Sequence, residues 1–193
     1  MPRSLFDSFV KKPMPTQKPE AWQRGPVPGV PAVLQPVAHA LLQAREEVND
    51  LMKGFPSALL WQKPAGLASP GFHLQHLSGV IDRVFTYARN EQLTPVQLEQ
   101  LAAEGKDRES PYCTEELVER FNVQVDKAME QLMSTGEHGL AEYRAVGRAR
   151  LPSTVIGLLF HGAEHSMRHL GQLLVTVAVI RNNYQDASKD QPA

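Results

Sequence analysis

Residues 154–181, TVIGLLFHGAEHSMRHLGQLLVTVAVIR, decide the fold. Histidines recur at 161, 165 and 169, in steps of four. On an α-helix each such step drifts by only about 40°, so the three rings share one stripe. The β-branched run at 175–180 would also suit a strand. It continues an unbroken helical pattern and has no evident partner strand, so helix is the expectation. The stretch belongs to the most apolar part of the chain, yet His161, Glu164, His165, Arg168 and His169 sit at its centre. A bilayer-spanning helix does not carry such a cluster uncompensated. A long helix inside a helical bundle, with a polar stripe turned toward a site, fits better.

Upstream, the same helical punctuation repeats. Leu34, Val37, Ala38, Leu41, Leu42, Val48 and Leu51 form an apolar stripe over 32–53, ended by Gly54 and Pro56. Ser69-Pro70 is an N-cap and first-turn proline, predicting a helix over about 70–92. Thr94-Pro95 repeats that start for a short helix through Ala103. Thr114, Leu117, Phe121, Val125, Ala128 and Leu132 mark a further long helix closed by Gly136. After an irregular stretch, Pro152-Ser153 opens the last helix. The expected fold is therefore all-α, a four-helix bundle with a short extra helix.

Seven of the fifteen prolines fall in residues 1–31. Proline fixes φ and removes a donor, so this segment should be an extended arm. Leu5, Phe6, Phe9 and Trp22 would tack it to the bundle or to a partner subunit. The expected organisation is an arm over 1–31, a bundle over 32–183 and a polar tail over 184–193.

Composition narrows the function. The chain has 193 residues, enough for one well-buried core. Its net charge of −1 offers no excess for a nucleic-acid or anionic-membrane surface. A single cysteine, Cys113, excludes an internal disulfide and a cysteine-based zinc site. The N-terminus lacks an apolar signal core, which makes the cytoplasm the expected compartment. The uncharged run 172–180 is more apolar than one exposed helix needs, so a homodimer is expected.

His165 and His169 can clasp one ion from consecutive helical turns, and His73 or His76 from the second long helix can supply a third ligand. Three neutral imidazoles suit zinc or nickel and leave positions open for water or substrate. Spacing alone does not show that the two helices meet. His161, one turn before the pair, would shape the pocket. Glu164 is expected on a solvated or helix-pairing face. Asp82, Arg83 and Tyr87 would offer the pocket polar groups, and Arg148 and Arg150 a grip on an anion. His39 and His138 have no partner at useful spacing. A zincin protease is excluded, because the glutamate of an HExxH motif is missing after His161 and His165.

GFHLQHLSGVIDR (71–83) followed by HGAEHSMRHLGQL (161–173) resembles the DinB/YfiT-like family of metal-binding four-helix bundles. There, a histidine in an HL context joins an HxxxH pair of the last helix, commonly followed by Gly-Gln. The resemblance, over about 33–180, implies His76, His165 and His169 as the ligands, with Gly171-Gln172 in the family position. His73 fits that position less well. The activity it implies is transfer of a low-molecular-weight thiol activated by the ion. The alternatives are a metal-dependent hydrolase or a non-catalytic protein that binds metal or a small ligand.

Overall fold

The computed structural model describes residues 18–189. Leu5, Phe6 and Phe9 therefore lie outside the described residues. The chain folds as a four-helix bundle of α1 (Gln35–Met52), α2 (Pro70–Ala88), α4 (Thr114–Ser134) and α5 (Val155–Lys189). A short helix α3 (Pro95–Ala103) lies outside the bundle, against α2. Both α1 and α2 pack against α4 and α5, so α1 and α2 stand diagonally opposite across the core. Leu41, Leu74, Leu77, Ile81, Phe85, Leu117, Phe121 and Leu173 fill that core and are buried.

The caps behave as their chemistry requires. Ser69 Oγ accepts the Phe72 N–H at the start of α2, and Thr94 Oγ1 accepts the Gln97 N–H at the start of α3. The expected end of α2 near Gln92 is too late, since Asn90 turns to φ 62° after Ala88. Conversely α5 runs on to Lys189, well past Arg181.

Two expectations need correction. The stretch before the last helix is a β-hairpin, in which β1 (Tyr143–Val146) pairs antiparallel with β2 (Leu151–Thr154). Pro152, expected to open the helix, sits in β2 opposite Ala145; a two-stranded ribbon has free edges that need no donor from it. The second correction concerns Trp22 as an anchor of residues 18–31, a segment that does lie along α1. Gln43 accepts the Ala21 N–H at 2.8 Å, Gln35 accepts the Val27 N–H at 2.7 Å, and Arg24 grips both oxygens of Glu46. Ala21 and Val30 are the buried anchors, whereas Trp22 is exposed.

The α2–α5 contact positions the histidines. The two helices run antiparallel, with His73 beside His169 and Phe85 beside Gly162. A Cβ on Gly162 would stand 3.0 Å from Val84 Cγ2 and 3.1 Å from Phe85 Cε2, so glycine lets α5 close onto α2 there. No helix among the described residues is long and apolar enough to cross a membrane.

Candidate metal centre

The helix stripe seen in the sequence meets α2 face to face. His76 from α2, and His165 and His169 from α5, each offer a ring nitrogen, and these atoms lie within 4.8 Å of one another. His76 Nε2 and His165 Nε2 are 3.0 Å apart. The His76 and His169 ring centroids are 4.4 Å apart, and those of His165 and His169 4.6 Å. This group could hold a metal ion.

The outer nitrogens show how the rings are aimed. His76 Nδ1 is 2.7 Å from Glu104 Oε2. Burial pushes the Glu104 carboxyl up, but hydrogen bonds from His76 and Arg83 outweigh it and hold the group below its usual value. Glu104 is thus an acceptor, so His76 Nδ1 carries a proton, and in the neutral ring that leaves the lone pair on Nε2. His169 Nδ1 meets His73 Nδ1 at 3.2 Å, which leaves Nε2 as the nitrogen His169 can offer. His165 Nδ1 is buried and has no hydrogen-bond partner.

This arrangement fits a cation. Two nitrogen lone pairs at the His76–His165 distance repel unless a proton or a cation lies between them. Ligands about 2.0–2.1 Å from a tetrahedral zinc ion stand roughly 3.3 Å apart, close to the observed separation. The two α5 ligand rings, His165 and His169, and His73 behind them are biased toward the neutral form that ligation requires. Burial, then the neighbouring His76, lowers the pKa of His73 to about 4. Burial and the surrounding His76, His165 and His73 do the same for His169, also to about 4. His165 is lowered chiefly by burial.

The surroundings grade from buried to open. His73 is 3% exposed and backs His169 instead of joining the triad. Phe72 stacks on His76 with centroids 5.3 Å apart and planes 11° from parallel. On the open side, His161 is exposed and its Nδ1 meets Glu164 Oε1 at 2.8 Å, while Glu164 Oε2 accepts from Arg168. Glu164 is thus tied to both neighbours at the rim. His161, Glu164 and His165 form a second group able to hold an ion, and it shares His165 with the first.

Arg83 joins the site through Glu104. Asp82 instead lines a groove of about 660 Å³ between α2, α3 and α4, on whose wall Glu104 also stands; none of the three histidines lines it. Arg148 and Arg150 are exposed in the hairpin turn. That hairpin is tied to the end of α2 by Arg144 donating to the Ala88 carbonyl, about 18 Å along the helix axis from His76. Tyr87 lies at that same end. His39 binds the Gly25 carbonyl at 3.0 Å, a tie for the N-terminal segment, and His138 is exposed. Glu104 was not legible as a site residue: it follows a short surface helix, 28 positions from His76, and only the fold joins them. The one sequence signal nearby was Gly79, a glycine inside a helical pattern.

The fold and site together are those of a helical bundle whose histidine triad, split between α2 and an HxxxH pair of the last helix, could hold a metal ion. The DinB superfamily model matches residues 40–173, and the chain belongs to that superfamily. A similar solved structure is the conserved protein of locus from Enterococcus faecalis. It is 18% identical with a TM-score of 0.60, and the match covers 78% of this chain and 98% of that one. That likeness supports the fold. No curated protein matches the chain at a significant level.

Proposed function

We propose that the chain is a metal-dependent enzyme that transfers a low-molecular-weight thiol to an electrophile at a divalent ion held by His76, His165 and His169. The observation that carries this reading is the convergence of three imidazoles from two helices, two of them oriented from behind by Glu104 and His73. Zinc or nickel is the ion that three neutral nitrogens favour. Such an ion lowers the pKa of a thiol or water in its remaining positions, making a nucleophile near neutral pH.

The chain's own residues do the rest. Glu104 and His73 hold two rings in place, and Phe72 covers one face of His76. Entry is from the His161–Arg168 side, where the side chains are exposed. The nucleophile has to come from outside, because Cys113 caps α4, accepting the Glu116 N–H, and is no member of the cluster. The test is to incubate metal-loaded protein with cysteine, glutathione, bacillithiol or mycothiol plus monochlorobimane, and to repeat it with His76→Ala. A thiol-dependent rate lost in the variant is expected; equal rates with every thiol reject the transferase and leave hydrolysis or plain metal binding.

A further inference from the structure

We infer that Glu104 is the positioning residue of the histidine triad, fixing the His76 tautomer that aims Nε2 at His165, and that Gly79 in α2 makes room for it. The inference rests on the three-histidine reading and deepens it.

Both Glu104 oxygens are committed. Oε2 accepts from His76 Nδ1 at 2.7 Å, and Oε1 accepts from Arg83 Nη1 at 2.5 Å. The carboxylate is largely buried, with its side chain 10% exposed, and Arg83 is nearly as covered at 11%. A buried carboxylate held between an arginine and an imidazole cannot swing away cheaply, since either partner would be stranded. With its position fixed, only one imidazole tautomer satisfies it: the proton on Nδ1, the lone pair on Nε2. An outer-shell carboxylate on a ligand histidine also raises the basicity of the ring.

Two further features support the assignment. Gly79 lies one turn beyond His76 and Gln75 on the same helix. A Cβ there would come under 3.0 Å from Glu104 Oε1 and Arg83 Nη1. Glycine inside a helix costs stability relative to alanine, so the close approach of this ion pair is what the glycine provides. Meanwhile α3 contains no buried residue, and so adds little to the core. Gln75 of α2 stitches the backbone of the turn after α3, accepting the Gly105 N–H at 2.7 Å and donating to the Lys106 carbonyl at 3.1 Å. The stitching sets Glu104 against His76.

The experiment measures zinc affinity by chelator competition on the full chain, wild type against Glu104→Ala, Glu104→Gln and Gly79→Ala, with cobalt-substituted visible spectra and metal-free thermal unfolding alongside. Each variant should weaken zinc binding on the order of 10- to 100-fold and alter the cobalt spectrum. Glu104→Gln tests the charge, since an amide can turn its NH₂ toward Nδ1 and force the wrong tautomer. Gly79→Ala guards against a folding artefact: the atoms its methyl would displace are the ends of flexible side chains, so α2 itself persists. A purely structural role would shift the unfolding temperature while leaving affinity and spectrum alone. Wild-type affinity and spectrum in both Glu104→Ala and Gly79→Ala overturn the role of Glu104 alone. A wild-type chain that binds no ion overturns the three-histidine reading as well.

Discussion

Acid should loosen the metal-free bundle well before its carboxylates protonate, and His73 is the place to see it. In the unfolded chain this imidazole titrates near 6.5; folded, it is pushed down to about 4. A depressed histidine pKa means that the unfolded state binds the extra proton first. Stability is therefore full above about pH 6.5 and falls as the pH drops toward 4. One pKa unit corresponds to about 1.4 kcal/mol, so full linkage between pH 7 and 4.5 gives about 2.4 kcal/mol. Solvent reaching the cluster from the His161 side screens part of this, leaving about 2 kcal/mol. His169 shares the Nδ1 contact with His73 and shifts the same way, so the two titrate as a pair and the figure belongs to its first proton. Glu46, Glu91 and Glu104 are held low in the fold, and their contributions are lost only below their unfolded value of 4.5. The window from 6.5 to 4.5 thus isolates the imidazoles. Urea unfolding of chelator-treated protein at pH 7.0, 5.5 and 4.5 should show the midpoint falling by about 1 M. His73→Gln should reduce that dependence, with His169 and His165 supplying what is left. A midpoint constant over this range, or an unchanged slope in His73→Gln, would refute the linkage.

The remaining expectations concern metal and assembly. Purified protein should carry about one divalent ion per chain, zinc or nickel. Alanine at His76, His165 or His169 should each weaken binding sharply, while His138→Ala, on an exposed turn, should not; full occupancy in His165→Ala/His169→Ala by elemental analysis would remove the site. Because the ligand rings His165 and His169 are held below the ordinary histidine range, binding by the folded protein should persist somewhat below pH 6 and weaken as the pH approaches 4. A homodimer through α5 is expected as well, since Leu174, Val175 and Val179 stay exposed within the uncharged run 172–180. Sedimentation should give a dimer at micromolar concentration that Val175→Glu converts to monomer, and a wild-type monomer of 21.4 kDa would count against it.

The bundle was legible because its signals are local. Apolar spacing in 32–53 and in 154–181, and the Ser69-Pro70 and Thr94-Pro95 starts, act within one or two helical turns, where side-chain period and capping chemistry decide the conformation. The hairpin at Tyr143–Val146 and Leu151–Thr154 was hidden because a short two-stranded ribbon has weak local preference and carries a proline in one strand. The overlong end expected for α2 failed for a related reason: Asn90 can take a left-handed turn, and nothing in the apolar pattern shows it.

At the site, the sequence by itself determined that His161, His165 and His169 share a helix face, since a spacing of four is a geometric statement about any α-helix. Which α2 histidine faces that stripe was decided by tertiary structure. His73 and His76 are three residues apart on neighbouring parts of one face, and the register of α2 against α5, set by the approach at Gly162, puts His76 in the triad and His73 behind His169. Glu104 belongs wholly to the tertiary level. No local preference links a residue after α3 to a ring 28 positions earlier; their hydrogen bond exists because Gln75 anchors that turn and Gly79 leaves space for it.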